Sequence, residues 1–302
     1  NNHIGVPLTL LSFDSETEFG IVEMGANHQK EIEFLCELAK PDYGYITNFG
    51  KAHLEGFGGV EGVIKGKSEM YHYLSENDKL AFINLEDKIQ VEKSSALKCY
   101  TFGIKKEHAS VNINSIAANP FVEVQFSDLQ IKTHLIGLYN ANNINAALAI
   151  GKYFGVDNTE IKDALESYIP ENNRSQLISK GTNQIILDAY NANPSSMAVA
   201  IENFLQLDDS NKVMILGDMF ELGTESAQEH KAIINLLLDT KDVAFYLVGK
   251  EFYAHRTNST NFHFYETFDA FSEYLNGIKL ENSSILIKGS RGMALERTLQ
   301  FL

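Results

Sequence analysis

Cysteine and positive charge are both scarce in this chain. Its 302 residues include two cysteines, Cys36 and Cys99, which lie in a helical pattern and a strand pattern without the spacing of metal ligands. We expect both to be buried free thiols in a reducing compartment. Only 25 lysines and arginines stand against 40 acidic residues, and the net charge of −15 argues against nucleic acid or an anionic membrane surface as a partner. An anionic nucleotide must then be held by a metal ion and a few local cations.

Long apolar runs and two nucleotide-binding loops are also missing. No apolar run approaches the roughly 20 residues of a membrane-spanning helix, and the N-terminus lacks a signal-peptide pattern, so we expect a cytoplasmic protein without membrane insertion. The segment GVIKGKS at 62–68 has three residues between its glycines, whereas a Walker A loop has four and follows an apolar strand. Apolar residues recur around it at helical spacing, which places Lys67 on a helix face. No G-x-G-x-x-G follows the predicted strand 184–188, which disfavours NAD as a cofactor.

What the chain does contain is a regular alternation of strand and helix patterns. With 44% apolar residues, a chain of this length can form two domains. The first part predicts strand 19–24, helix 29–39, strand 43–47, helix 60–74 and strand 79–83. Period-two runs between Cys99 and Ile136 predict an antiparallel β insert. An asparagine-rich segment then opens a helix ending near Phe154, a second helix follows at 158–168, and the polar joint 170–173 marks the domain boundary.

A second α/β series follows the joint. It predicts strands at 184–188, 212–217, 243–248 and 284–288, and helices at 195–207, 226–238, 267–276 and 292–300. We therefore predict an α/β chain with domains 1–171 and 172–302, the second of them Rossmann-like. Three strands end in polar or glycine-rich turns that begin at Asp188, Gly217 and Lys288. Ligands bind at the carboxyl ends of such strands, so a site is expected there, although each turn alone is compatible with ordinary loop chemistry.

Two side chains in the first part have the chemistry of a metal site. Glu23 ends the predicted strand 19–24, and His53 follows the predicted strand 43–47 within a glycine-rich loop. Magnesium prefers oxygen ligands and tolerates an occasional imidazole, so the pair could hold a divalent ion. A hydrogen-bonded glutamate and an ordinary loop histidine explain the pattern equally well. The residues alone leave both readings open.

Six ordered segments resemble the Mur ligases over the whole chain: EMGANHQKEI, NFGKAHLEGFGG, GLYNANNINAALA, DAYNANPSSM, LGDMFELG and IKGSRGMALE. The resemblance implies a domain for the UDP-sugar, a central P-loop-type ATPase domain and a Rossmann-like C-terminal domain. The chain begins without an initiator methionine and lacks the Walker A motif. We therefore expect the first domain, and the opening strand and Walker A loop of the second, to be missing. DAYNANPSS and LGDMFELG point to the branch that adds D-alanyl-D-alanine to UDP-N-acetylmuramoyl-tripeptide.

The resemblance also implies a mechanism and assigns its metal site. Members of the family use ATP and Mg²⁺ to convert a substrate carboxylate into an acyl phosphate, which the incoming amine then attacks. Glu23 and His53 match the family's magnesium ligands. Lys67 matches a lysine that carries a carbamate derived from CO₂ and thereby offers anionic oxygen to the metal; an ordinary solvated lysine is the alternative. Ser68 and Glu69 have no comparable match.

The remaining matches concern the nucleotide and the substrates. The nucleotide-binding positions implied by the resemblance are Asn140 and Asn143 beside the adenine, Arg174 at the phosphates, Asp188 at the ribose and, by location only, Tyr190. Asn191, Asn193, Asp218 and Arg291 in the second domain are assigned to the incoming dipeptide or to domain closure. Asn27 and His28 are candidates for the substrate side of the first domain, with an ordinary turn after a strand as the alternative. His230 is interpreted as a surface histidine. We expect a monomer that acts on small molecules.

Two other functions remain open from the sequence. Another Mur ligase, or an enzyme of the folylpolyglutamate synthase type, would share the fold but take a different amine. Alternatively, because the sequence contains no Walker A loop, the chain alone could bind nucleotide or dipeptide weakly and catalyse nothing.

Overall fold

A computed structural model describes residues 1–51, 53–171, 173–209 and 211–302. The chain divides into two compact units, and two short segments of the predicted β insert cluster with the C-terminal part. The first unit comprises Asn1–Ile116, Val124–Ile131 and Ala141–Leu165, and the second comprises Ala117–Glu123, Lys132–Asn140 and Glu166–Leu302. Residue 172, at which the second predicted domain begins, lies outside the described residues. Among these, no helix is long and apolar enough to cross a membrane.

A four-stranded parallel sheet forms the centre of the first unit. Its strands, in the order β1-β2-β3-β4, are Tyr43–Tyr45, Leu80–Asn84, Lys98–Ile104 and Val111–Ile113. The helices in chain order are α1 Gly5–Leu11, α2 Glu31–Ala39, α3 Leu54–Phe57, α4 Val60–Glu76, α5 Lys88–Lys93, α6 Ala141–Tyr153 and α7 Asn158–Ser167. Cys36 is buried and Cys99 is half-buried, and neither forms a disulfide.

Two predictions for this unit are wrong. In the described part of the chain, segment 19–24 belongs to no strand ladder. Alternation gives a segment two faces without giving it a hydrogen-bonding partner. The β insert is also smaller than predicted, since β3 and β4 continue the parallel sheet. Only 115–136 forms a separate sheet, of strands β5 Ser115–Ala118, β6 Phe121–Phe126 and β7 Leu129–Ile136. Its two-residue connections require antiparallel neighbours.

The second unit is built on a six-stranded sheet. In chain order its strands are β8 Gln176–Lys180, β9 Asn183–Asp188, β10 Lys212–Gly217, β11 Val243–Val248, β12 Phe262–Tyr265 and β13 Ser284–Lys288, and their order in the sheet is β12-β11-β10-β13-β9-β8. Every pair is parallel except β8 with β9. The helices are α8 Pro194–Leu205, α9 Ser226–Leu237, α10 Lys250–Ala254 and α11 Phe268–Asn276. The four strands predicted for this part are thus confirmed, whereas β8 and β12 were not predicted.

The predicted helix 292–300 is wrong. The chain forms two 3₁₀ segments instead, Arg291–Met293 and Leu295–Phe301, separated by Ala294 in the left-handed region with φ 49°. A non-glycine residue with positive φ interrupts helical hydrogen bonding.

The order of the strands locates the functional edge of this sheet. The central strands are almost continuously apolar and buried, as expected for parallel strands that are covered on both faces. From β10 the chain proceeds outward to β11 and β12, and then returns to β13 on the other side of β10. In open α/β sheets ligands bind at the carboxyl ends of the strands beside such a reversal. That edge carries Asp188, Asp218 and Lys288.

Candidate active site

Lys67 lies on α4 and faces the loop that follows β1. Its Nζ donates to the carbonyl of Asn48 at 2.8 Å, and the Asn48 side chain in turn accepts the N–H of Gly50 at 2.9 Å. The lysine is half-buried, and burial lowers its pKa, which the negative charge of Asp87 partly offsets. The prediction of a helix-face lysine is confirmed. A lysine with a depressed pKa has a larger neutral fraction, which is the reactive form of an amine.

His53 and Glu23 lie on irregular segments of the same unit. His53 has a left-handed backbone, φ 53°, immediately before α3, and its carbonyl accepts the N–H of Phe57 at 3.1 Å. Glu23 is exposed and accepts the side-chain amide of Asn1 at 3.0 Å. Within the described ranges, no three His, Cys, Asp or Glu side chains are placed to hold a metal ion. A site formed by one carboxylate, one imidazole and a modified lysine contains only two such side chains and is compatible with this finding.

The turn at Asn27 and His28 is held by Glu31. Glu31 accepts the N–H groups of Asn27 and His28 through one oxygen, at 2.7 and 3.0 Å. Against the other side of the turn lies Gly56 of α3, where a Cβ atom would approach the Asn27 carbonyl to 2.2 Å. The turn therefore packs against α3, directly after His53. This places three of the predicted site residues on adjoining segments.

Glu69 connects two helices of the first unit, a contact that is not predicted from the sequence. From α4 its two carboxylate oxygens accept the backbone N–H groups of Lys30 and Glu33, at 2.6 and 3.1 Å. These are N–H groups at the start of α2, which need an acceptor and interact favourably with negative charge. Glu69 thereby ties α2 to the helix that carries Lys67.

The two asparagines assigned to adenine have different surroundings. Asn140 is buried immediately before α6, where its amide donates to the carbonyl of Ile136 at 2.8 Å. Asn143 is exposed in the first turn of α6. Of the asparagines in this motif, Asn142 accepts a hydrogen bond from Asn84 at the carboxyl end of β2, at 3.3 Å. This contact places the start of α6 at the ligand-binding edge of the first sheet.

A buried ion pair joins the carboxyl ends of β9 and β13. Lys288 Nζ donates to Asp188 Oδ2 at 2.6 Å and to the carbonyl of Asn191 at 3.2 Å, and the side chains of lysine and aspartate are 2% and 14% exposed. The second oxygen of Asp188 accepts the N–H of Ser175 at 3.2 Å, and the Ser175 hydroxyl bonds that of Tyr139. Asp188 is therefore held from both sides. Lys288 is not among the site residues predicted from the sequence; its position at the end of the apolar strand SILIK is the signal that indicates it.

Arg174 and Tyr190 form a stacked pair beside Asp188. The guanidinium carbon of Arg174 lies 4.0 Å from the centre of the Tyr190 ring, a cation–π geometry. The N–H of Tyr190 donates to the carbonyl of Asn173 at 3.1 Å. The tyrosine is 42% exposed. The pair thus presents a positive charge beside the candidate ribose-binding carboxylate.

Three of the residues assigned to the dipeptide or to domain closure form hydrogen bonds or an ion pair with residues close to them in the sequence. Asn193 is the N-cap of α8, and its side chain accepts the N–H of Ser196 at 2.9 Å. The side chain of Asn191 accepts the following N–H, of Ala192, at 2.8 Å. Arg291 is exposed and pairs with Glu296 at 2.9 Å. These three side chains shape the turns at the sheet edge.

A cavity of about 540 Å³ opens at the carboxyl ends of β10, β11 and β12. Its lining combines four carboxylates, two cations and several apolar side chains: Asp218, Glu221, Glu251, Glu266, Lys250, Arg297, Met219, Phe220, Leu222, Phe268 and Met293. Asp218 lies at its base, where burial raises the pKa of the carboxyl and two backbone N–H groups, from Glu251 and Phe252, oppose that rise. The cavity suits a small molecule that carries both charges and short apolar groups.

His230 was interpreted from the sequence as a surface residue, and this is wrong. The imidazole is fully buried on α9, and its Nε2 accepts the N–H of Met219 at 3.0 Å. The helical pattern does place position 230 on one face of α9. It does not reveal that this face covers the turn after β10.

Comparison with known proteins gave consistent matches. The family model described as the Mur ligase middle domain matches residues 1–151, and that described as Mur ligase, glutamate ligase domain, matches residues 173–291. A curated UDP-N-acetylmuramoyl-tripeptide–D-alanyl-D-alanine ligase of Bacillus subtilis is 32% identical over the whole chain and 68% of its own length. Crystal structure I of MurF from Acinetobacter baumannii is 31% identical, with a TM-score of 0.86 over 99% of this chain and 68% of its own. A MurF ligase of Thermotoga maritima in complex with ADP is 25% identical, with a TM-score of 0.83 over 100% and 70%.

Proposed function

Because this chain belongs to the Mur ligase family, we propose that it is an ATP-dependent ligase of peptidoglycan precursor synthesis that joins D-alanyl-D-alanine to UDP-N-acetylmuramoyl-tripeptide. The observation that carries the proposal is the match over the full chain to curated relatives of that name, which are 30–33% identical. The ADP complex of the relative from Thermotoga maritima supports ATP as the nucleotide.

The chemistry of amide formation explains the need for ATP. A free carboxylate is a poor acyl donor in water, and we propose that it is first converted to an acyl phosphate, which the amine of the dipeptide then attacks with loss of phosphate. The triphosphate, the carboxylate and the developing oxyanion all carry negative charge at one place. Stabilising that charge is the main requirement on the site.

We assign Glu23, His53 and the carbamate of Lys67 to magnesium. The donor set fits, because a carboxylate, an imidazole and a carbamate present oxygen and nitrogen to a hard cation. The depressed pKa of Lys67 favours the neutral amine that adds to CO₂ with loss of a proton. When bound, Mg²⁺ would supply charge neutralisation to the phosphates and to the substrate carboxylate.

The nucleotide is assigned to five side chains. Asp188, fixed by Lys288 and the N–H of Ser175, is suited to accept the ribose hydroxyls, and Arg174 beside Tyr190 is suited to the phosphates. Asn140 and Asn143 are assigned to the adenine. An amide side chain offers both a donor and an acceptor to a base edge.

We assign the 540 Å³ cavity to the incoming dipeptide. D-alanyl-D-alanine carries an ammonium, a carboxylate and two methyl groups. The carboxylates of Glu221, Glu251 and Glu266 suit the ammonium, Lys250 and Arg297 suit the carboxylate, and the methyl groups suit the apolar side chains that complete the lining. Asn27 and His28 are assigned to the substrate side of the first unit, and Asn191, Asn193, Asp218 and Arg291 to the incoming dipeptide or to domain closure.

We further propose a central domain over 1–171 and a C-terminal domain over 172–302, in a cytoplasmic monomer. Because the sequence contains no Walker A loop, which supplies backbone N–H groups and a lysine to the phosphates, we propose that these 302 residues alone do not hydrolyse ATP. The chain spans 68–70% of the length of the relatives named above.

The test is phosphate release by the intact gene product with ATP, Mg²⁺ and UDP-N-acetylmuramoyl-tripeptide. Release with D-alanyl-D-alanine but not with single amino acids would support the proposal. Release with a single amino acid would assign the protein to another branch of the family, and no release with either would refute a ligase function. ATP hydrolysis by the purified 302-residue chain would refute its proposed inactivity.

A further inference from the structure

His230 is a fully buried imidazole whose two nitrogens have different partners. Nε2 accepts the N–H of Met219 at 3.0 Å, and Nδ1 lies 2.8 Å from the carbonyl of Ser226. Because Nε2 accepts a hydrogen bond, the proton must be on Nδ1, where it can be donated to the carbonyl. Only the neutral ring satisfies both contacts. Burial lowers the pKa of His230, which is consistent with this state.

The turn that His230 contacts is held at each of its three residues by a different element. The carboxylate of Asp218 accepts the N–H groups of Glu251 and Phe252 at the start of α10, both at 3.0 Å. The N–H of Met219 is bound by His230 of α9. The N–H of Phe220 donates to the hydroxyl of Ser290, which follows β13, at 2.8 Å. Three segments of the sheet edge therefore fix the path of residues 218–220.

The same turn forms one wall of the acceptor cavity. Met219 and Phe220 both line it, whereas His230 lies behind them and does not. The packing beneath the wall is close, because a Cβ atom at Gly249, φ 128°, would meet the carboxylate of Asp218 at 2.2 Å. Because Met219 itself lines the cavity, a shift of Met219 would change the shape of the cavity.

We propose that His230 is a positioning residue for the acceptor, whose Nε2 holds the Met219–Phe220 wall in the form that binds the dipeptide. The inference rests on the proposed function, since the dipeptide is the assigned occupant of the cavity. Removing the acceptor of a buried N–H destabilises the conformation in which that N–H is buried. If this destabilisation is confined to the wall, the KM for D-alanyl-D-alanine should rise by about tenfold. The KM for ATP should not change, because none of the nucleotide-binding positions lines this cavity.

The experiment compares four variants of the intact gene product with the wild type. In His230→Gln the side-chain oxygen can reach Met219, whereas His230→Asn is too short and retains only the contact with Ser226. His230→Leu removes both contacts. The control is Asn183→Leu, which removes a buried side chain that bonds Leu280 and Ser283 at 2.7 and 3.0 Å, at the amino end of β9.

We expect the KM for the dipeptide to rise in the Asn and Leu variants of His230 and to stay near the wild-type value in the Gln variant. Asn183→Leu should lower the melting temperature without changing either KM. An equal rise in both KM values, or the same rise in the Asn183 variant, would overturn the proposal.

Amide hydrogen exchange at Met219 gives a readout that does not depend on turnover. Faster exchange in His230→Asn than in His230→Gln is expected, and equal exchange would overturn the positioning role. If the wild-type enzyme uses no dipeptide at all, the proposed function fails and the acceptor role fails with it. The exchange data then decide separately whether His230 holds the turn.

Discussion

Replacing Lys288 by methionine should strongly destabilise the second unit. The substitution keeps most of the volume but removes the ammonium that bonds Asp188 at 2.6 Å and the Asn191 carbonyl at 3.2 Å. The aspartate is only 14% exposed, so it would retain a buried charge supported by the N–H of Ser175 alone. Breaking a buried ion pair by removing one partner costs about 3–5 kcal/mol.

The companion double variant tests this explanation. If the loss comes from the uncompensated charge of Asp188, then Lys288→Met combined with Asp188→Asn should recover at least half of it, because the neutral amide can still accept the N–H of Ser175. The surface pair of Lys279 with Glu281 provides a matched control. Lys279 is 82% exposed, and Lys279→Met should change stability little.

Hydrogen exchange in peptides from β9 and β13 is the suitable assay, because it reports the opening free energy of this sheet separately from the first unit. Protection in Lys288→Met should fall by an amount that corresponds to about 3–5 kcal/mol. A loss as small as that in Lys279→Met, or a double variant no more stable than the single one, would show that the pair is not the source of stability we describe.

Three further predictions follow from the contacts. Lys67→Ala should abolish acyl-phosphate formation in the intact enzyme, and added short carboxylic acids should restore part of it; unchanged phosphate release would refute the carbamate assignment. Because burial lowers the pKa of His230 below the 6.5 of a free histidine, the unfolded chain binds more protons in acid. Stability should therefore fall below about pH 6.5 by at most about 1.4 kcal/mol per pH unit from this group. His230→Gln should lose this part of the slope in melting experiments, whereas the contribution of the Asp218 carboxyl is common to both proteins. Asn193→Ala should cost about 1 kcal/mol through the lost N-cap of α8, and an unchanged melting temperature would contradict it.

The sequence predicts strands well where burial on both faces makes them continuously apolar. The strands at 212–217, 243–248 and 284–288 have the predicted bounds in the structure. The edge strands β8 and β12 carry polar residues and give no such signal. For segment 19–24 the pattern was strong, but a strand also needs a neighbour, and alternation contains no information about one.

The positions of candidate site residues could be predicted where one short segment carries the chemistry. Lys67 on its helix and Asp188 at its strand end are examples. The partners that fix them come from distant parts of the chain: Lys288 lies 100 residues from Asp188, and Glu69 reaches 39 residues back to Lys30. The same holds for His230, because helical periodicity predicts which face of α9 carries it but not that this face packs against the turn at Met219. Such partners become identifiable only when the topology brings the strand ends together.

The contacts of the cations support the proposed role of a metal ion in this acidic protein. Of the positive groups near the candidate sites, Lys288 is committed to Asp188, and Lys67 has a depressed pKa and bonds a carbonyl. Arg174 stacks on Tyr190 beside the candidate nucleotide position. With 25 basic against 40 acidic residues and a net charge of −15, the chain as a whole does not supply excess positive charge for a triphosphate and a carboxylate. If Lys67 becomes a carbamate, as we propose, its positive charge is replaced by an anionic metal ligand. The positive charge at that place would then come from Mg²⁺, whose double charge no single side chain can match.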